Sequence, residues 1–418
     1  MPLTAGGIVA LTLFVGLYLV LVTEWVHRAV AALLAAGAAI VLGLLTPAAA
    51  ARALDLNTLI LLLALMILVA LLEQEGLFVS LAEQAERWGG GHPRRILIVF
   101  LVLVAIVSAF LPNVTVILMV GPSLISLAEG FGLNPIPVLI LGVVASNLGG
   151  MATLVGDPPN ILIGTAASFS FVDFLRYLAP LAALLVALTL LRVTRRETAR
   201  QAAGRDREPV FHHVRSRHFG ALAALSLLMV AAFVIQPWLG LPIGLLALLG
   251  SLVAVLVVGS DFDALMTKVD WSTIIFFAGL FVVVDALVEQ GVVSALSAWI
   301  LARHLGSLMP LAIMVGTALL SAVLDNLPIV AAMIPLVQQL TARHPAYSPG
   351  LWVALAVGAA VGGNATLYGA AANVVAGSLA KARGYRLSFR DWAVTAAPLT
   401  IGLLAVAAGW MWFGGFVR

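Results

Sequence analysis

Nine amide and hydroxyl side chains interrupt otherwise apolar stretches of this sequence. Asn113, Thr115, Asn147, Thr153 and Asn160 form one group; Asn326, Asn364, Thr366 and Asn373 form a second. Paired glycines stand among them, Gly149–Gly150 and Gly362–Gly363, together with two carboxylates, Asp157 and Asp325. Amides and hydroxyls of this kind can replace the hydration shell of an oxygen-rich solute. An anion gains most where a helix restarts, because a helix N-terminus presents free N–H groups and a partial positive charge. The same residues also cap broken helices, and each Asn or Thr taken singly fits either role. Gly150 and Gly363 fit a left-handed turn or a close backbone approach.

The two groups are copies of one pattern. Gly149–Asn160 reads GGMATLVGDPPN and Gly362–Asn373 reads GGNATLYGAAAN, with seven of twelve positions identical at an offset of 213 residues. At the same offset SAFLPN (108–113) aligns with SAVLDN (321–326), and Pro122 aligns with Pro335. SFVDF at 170–174 and SFRDW at 388–392 are each followed by proline six residues on. Asn57–Thr58 and Ser272–Thr273 open corresponding spans. A helix broken inside a membrane leaves backbone groups unpaired, so it is tolerated only against protein or a polar cavity. Matched breaks in two halves point to a transporter binding site, and favour a substrate site over capping for the groups taken together.

The carboxylates break the symmetry. Asp325 aligns with Pro112 and Asp157 with Ala370. An intramembrane carboxylate is costly and marks an ion or proton path; the alternative is an N-cap, for Asp325 ahead of Pro328 and for Asp157 ahead of Pro158–Pro159. Asp325 is a candidate proton carrier or sodium ligand, with Asn113 and Asn326 as further sodium contacts. Asp157 divides between cap and coupling-ion ligand, and Asp285 is a further ion-path candidate. Glu73, Glu75 and Glu289 read as solvated span ends. There is no cysteine, no HExxH and no GxxxxGK[ST] in the chain. No transition-metal site, no other cofactor, no nucleophile–base pair and no nucleotide loop is therefore expected.

The elements that must hold these groups are membrane helices. The sequence is 62% hydrophobic and 10% charged, with mean hydropathy +1.13, against roughly 25% charged in soluble domains. Stretches of about 20 apolar residues mark spans near 5–22, 29–47, 57–77 and 174–191, and again near 219–236, 241–259, 271–290 and 392–413. Surface helices are expected near 78–93 and 292–304. Residues 95–128 and 308–341 read as re-entrant hairpins of two half-depth arms with tips at Leu111–Asn113 and Asp325–Asn326. Residues 135–168 and 351–380 read as discontinuous spans. The start, MPLTAGGIVA, lacks a basic n-region, so its apolar run is read as a retained span.

Five spans and one hairpin make an odd number of crossings, so the halves have opposite orientation. The expected fold is an all-α polytopic membrane protein of two inverted-topology repeats, 1–191 and 219–418, joined by a basic linker, 192–218. With that linker in the cytoplasm, seventeen of the 22 basic residues lie inside and five outside, which agrees with the positive-inside bias and puts both termini outside. The location is the cell (inner) membrane.

At SAFLPNVT, NLGGMATLVGDPPNILIG, SAVLDNLPIVAAMIP and GGNATLYGAAANVVAGSLAKARGY the chain resembles the ion transporter superfamily. The branch is that of arsenite efflux permeases, sodium/proton antiporters and the melanosomal P protein; divalent-anion/sodium symporters are more distantly similar. The resemblance covers essentially the whole chain. It implies a scaffold that forms a homodimer, a transport region that moves like an elevator, and substrate and ion contacts at the Asn and Thr residues named above. Many relatives carry Asp–Asn at the first hairpin tip, where this chain has Pro112–Asn113.

The leading functional expectation is an ion-coupled secondary transporter of a small oxygen-rich solute or anion, with arsenite or antimonite efflux placed first and sodium or protons as the coupling ion. Sodium/proton exchange and sodium-coupled dicarboxylate or sulfate symport are alternatives, and an ion channel is the reading from a different class. Expected partners are a small inorganic or organic anion or oxyacid, membrane lipid, a second copy of the chain and, for an efflux system, an ATPase, with no nucleic acid.

Overall fold

The structure is a computed structural model that describes residues 3–23, 25–90, 92–196 and 218–416. Among the described residues it is helical, without strands. Eleven α-helices form the first half: α1 (Ala5–Thr23), α2 (Arg28–Val41), α3 (Pro47–Arg52), α4 (Leu56–Gln74), α5 (Leu77–Gly89), α6 (Pro93–Ser108), α7 (Asn113–Gly130), α8 (Pro135–Gly150), α9 (Pro158–Ala167), α10 (Phe171–Tyr177) and α11 (Ala179–Arg196). Eleven more follow in the same order: α12 (Phe219–Leu239), α13 (Ile243–Val258), α14 (Phe262–Met266), α15 (Trp271–Glu289), α16 (Val292–Leu301), α17 (Met309–Val323), α18 (Asn326–Arg343), α19 (Ser348–Gly362), α20 (Ala371–Ala382), α21 (Phe389–Thr395) and α22 (Ala397–Phe413). Seven of the described helices are long and apolar enough to cross a membrane, or eight with the bent pair α10–α11, which turns by 47°. Most of the linker, residues 197–217, lies outside the described residues.

Each helix of the first half has its counterpart eleven places on, and the local chemistry repeats with it. Asp55 caps α4, accepting from Thr58 N at 3.1 Å; Asp270 caps α15, accepting from Thr273 N at 3.1 Å. Ser170 with Asp173 and Ser388 with Asp391 form capping boxes at α10 and α21, where a side chain and a backbone N–H satisfy each other reciprocally. Packing is exchanged between the halves: α4 packs on α13, and its counterpart α15 packs on α2. Asn57 Oδ1 accepts from Gly244 N at 3.0 Å, tying α4 to α13. Arg28 Nη2 donates to Asp270 Oδ2 at 2.8 Å and Thr273 Oγ1 at 2.7 Å, tying α2 to α15.

Losing a cap costs about 1 kcal/mol, and a half-exposed ion pair adds at most about 1 kcal/mol. Asp270→Ala is therefore expected to lower the thermal midpoint of the detergent-solubilised protein more than Asp55→Ala. Equal losses would show that the Arg28 tie contributes nothing.

The helix–break–helix units stand at the positions of the hairpins read from the sequence. Helices α6 and α7 have 16 and 18 residues, about 24 and 27 Å at 1.5 Å per residue, which is most of a bilayer core of about 30 Å. The breaks stand where the sequence placed them, and helices restart at Asn113, Pro158, Asn326 and Ala371. Backbone angles agree in pairs across the repeat: Pro112 (φ −53, ψ 130) with Asp325 (φ −52, ψ 138), and Asp157 (φ −147, ψ 139) with Ala370 (φ −153, ψ 146). The paired glycines serve close approach and not left-handed turns. A Cβ on Gly149 would stand 2.7 Å from Ala105 Cα, and one on Gly362 would stand 2.5 Å from the Ala318 carbonyl oxygen.

Candidate functional site

Four helix restarts meet on a buried polar network. Asn113, first residue of α7, sends its Nδ2 to Asn147 Oδ1 at 2.8 Å and to Asp157 Oδ2 at 3.3 Å. Asn326, first residue of α18, sends its Nδ2 to the same Asp157 Oδ2 at 3.2 Å. Asn147 Nδ2 continues the network into the second half, to Asn364 Oδ1 at 2.8 Å and Asn373 Oδ1 at 3.2 Å. Asp157, 5% exposed, is thus the point at which the two tips converge. Asp-Pro-Pro reads as a helix cap, but the Asp157 side chain makes no capping bond. Asp325 does cap, accepting from Leu327 N at 3.0 Å.

The other asparagines and threonines brace the breaks. Asn160 Nδ2 donates to Gly150 O at 2.9 Å and Thr153 O at 2.8 Å; Asn373 Nδ2 donates to Gly363 O at 2.8 Å and Thr366 O at 2.7 Å. The hydroxyls of Thr153 and Thr366 donate to the carbonyls of Ala109 and Ala322. These bonds satisfy carbonyls that the broken helices leave open. Asn160, Thr153, Asn364 and Asn373 are almost wholly buried.

A cavity of about 370 Å³ reaches the convergence point. Asn113, Thr115, Asp157, Asp325 and Asn326 line it, and so do Arg28, Glu73, Lys268, Asp270 and Thr273. Asn147, Gly150, Thr153, Asn160, Gly363, Asn364, Thr366 and Asn373 are not among its lining residues. The candidates therefore divide into five that face the cavity and eight that stand behind them.

Asp285 is elsewhere. It lines a cavity of about 580 Å³ with Asp55, Thr165 and Gln339, which contains no tip or break residue. The two cavities lie at opposite ends of α15, the first touching Asp270 and Thr273 and the second Phe281, Val284, Asp285 and Val288. On α4 the order is reversed, with Met66–Glu73 on the first cavity and Asp55 on the second. The tip site thus opens toward one end of the helix bundle. Glu75 does not lie at a solvated span end: it is 7% exposed, just ahead of the turn at Gly76 (φ +80) that opens α5.

Arg28 and Lys268 figured in the sequence only as basic residues of inner loops. The structure brings both to the tip cavity, where Lys268 Nζ lies 3.9 Å from Glu73 Oε2. Among the described residues no three His, Cys, Asp or Glu side chains are grouped to hold a metal ion.

A family model described as a citrate transporter matches residues 18–309 and 296–415. An uncharacterized transporter of Mycobacterium bovis is 35% identical over 427 residues, covering 98% of this chain and 99% of its own length. The P protein of Homo sapiens is 30% identical over 490 residues, covering 94% of this chain; that match takes in 58% of the P protein. Among solved structures, the YdaH transporter of Alcanivorax borkumensis, which has an unusual topology, shares the fold with a TM-score of 0.56 over 85% of each chain at 18% identity.

Proposed function

We propose a cargo and a coupling for this chain from the premise that it belongs to the citrate transporter family: it moves a carboxylated anion together with a cation across the membrane. The observation that carries this reading is the convergence of both tip amides on Asp157 in a cavity that also holds Arg28 and Lys268. An anion entering that cavity needs the N–H donors of Asn113 and Asn326, and ionised Asp157 already holds both. The two negative groups compete for the same pair of donors. A proton or sodium ion on Asp157 removes one competitor, so anion and cation bind better together than apart.

The charges around the cavity support the same coupling. It has two basic side chains, Arg28 and Lys268, and four acidic ones, Glu73, Asp157, Asp270 and Asp325. With all six ionised the cavity is net negative and repels an anion; each bound cation offsets one unit of that charge. Arg28 and Lys268 also distinguish a carboxylate from arsenous acid, which is neutral and gains little from them. The carboxylate is therefore preferred to the arsenite cargo placed first from the sequence.

Inverted orientation of the halves, an elevator-like movement of the tips and breaks, and dimerisation remain parts of the proposal. The exchanged packing of α4 on α13 and α15 on α2 supports the first. With the basic linker in the cytoplasm of a cell expressing the chain in its inner membrane, the tip cavity opens to the cytoplasmic side, next to Arg28 and Lys268.

Ligand-induced stabilisation tests the cargo directly. A ligand present at 100 times its Kd stabilises by about 2.7 kcal/mol. Citrate in the presence of sodium, or at acidic pH, is expected to raise the thermal midpoint of the purified protein by several degrees, whereas arsenite leaves it unchanged. A shift with arsenite and none with citrate would overturn the carboxylate reading.

A further inference from the structure

Beside the tip cavity lies a second chamber of about 480 Å³. The two share Arg28, Val114, Asp325, Leu327 and Ala371, so they adjoin, with Arg28 and Asp325 between them. Their walls differ. Asn113, Asn326 and Asp157 face only the tip cavity, whereas the second chamber is lined mainly by apolar side chains such as Leu21, Phe276, Leu324 and Val375, with His27, Tyr368 and Ser378 among them.

Two residues on this chamber's wall carry polar groups without a full set of partners. The Tyr18 hydroxyl belongs to a residue only 7% exposed and has no hydrogen-bond partner among the described residues. A buried hydroxyl left unpaired is costly, so its place just behind a cavity wall points to a partner that arrives with a ligand. Arg28 uses Nη2 for Asp270 and Thr273, and its Nε and Nη1 make no hydrogen bond within the described residues. A cation at the mouth, apolar walls and one waiting hydroxyl are the recognition elements of an amphipathic carboxylate.

We propose that this chamber is a subsite for the apolar body of a carboxylate whose charged end lies at Arg28 and the tip asparagines. Tyr18 pairs with a polar group on that body. The inference rests on the anion site proposed above and extends it: the cargo class includes carboxylates with an aromatic or alkyl substituent.

Succinate and benzylsuccinate provide the test, with affinities measured by calorimetry on the full-length protein in detergent and saturating sodium at mildly acidic pH. An apolar group placed in a matching pocket gains roughly tenfold or more. Benzylsuccinate is expected to bind at least about tenfold more tightly than succinate. That ratio is expected to fall at least about fivefold in Val375→Trp and in Ser378→Trp, which fill the chamber from α20 at a half-buried and an exposed position. A further gain from a ring hydroxyl on the benzyl group is expected to disappear in Tyr18→Phe. A ratio near one in the natural protein, or a ratio that survives both fillings, overturns the subsite and leaves the tip site standing. Binding of neither compound overturns the anion site and the subsite together.

Discussion

Asp157→Asn is expected to uncouple anion binding from the cation while leaving a folded protein. Asparagine keeps the size of the side chain and an oxygen acceptor for Asn113 and Asn326, but it carries no charge for a cation to neutralise. In the natural protein, coupling of about 1–3 kcal/mol corresponds to a 5- to 150-fold improvement of citrate affinity by the coupling cation. In Asp157→Asn that improvement is expected to fall below about twofold, and concentrative uptake driven by a cation gradient is expected to vanish. Citrate affinity measured with and without sodium, at two pH values, checks the first statement; uptake into liposomes checks the second. Asp325→Asn should have the smaller effect on binding, because its carboxylate caps α18 and asparagine also caps. A cation effect that survives in Asp157→Asn and is lost in Asp325→Asn would reverse the assignment.

The largest loss of stability is expected at the glycines where helices cross. Gly149 lies against the Ala105 backbone and Gly362 against the Ala318 backbone. Backbone atoms of a packed helix cannot move aside as the end of a flexible side chain can. Overpacking a core costs roughly 1–3 kcal/mol, and a clash against backbone belongs at or above the top of that range. Gly149→Val and Gly362→Val are each expected to lower the thermal midpoint sharply or to leave no monodisperse protein. Gly402→Ala and Gly409→Ala serve as controls, since a Cβ there would meet nothing within 4 Å, and alanine favours the helix by about 1 kcal/mol. If all four variants were equally stable, close packing of α6 on α8 and α17 on α19 would not hold the breaks in place.

The restarts, the breaks and their duplication were legible in the sequence because membrane helices tolerate few interruptions. Asn113 and Asn326 stand out against apolar flanks, and GGMATLVGDPPN repeats its glycines and asparagine 213 residues later. Less legible was which asparagine faces the cavity. Asn160 and Asn113 look alike in sequence, yet two open carbonyls take up the first amide while the second reaches Asp157. Arg28 was hidden for another reason. A basic residue at a span end is ordinary, and its partners Asp270 and Thr273 stand more than 240 residues away. Asp285 is a different case. Its apolar neighbours make it an ion-path candidate, and its end of α15 faces the cavity that holds no tip residue.

One measurement tests the central claim most directly: tracer citrate uptake into proteoliposomes with a sodium or proton gradient imposed and then collapsed, for the natural protein and for Asp157→Asn. The expected result is accumulation above the external concentration in the natural protein, loss of that accumulation when the cation gradient is dissipated, and only downhill movement in Asp157→Asn. Citrate flux in the natural protein that ignores both gradients, or accumulation that persists in Asp157→Asn, would contradict the competition of anion and Asp157 for the two tip amides.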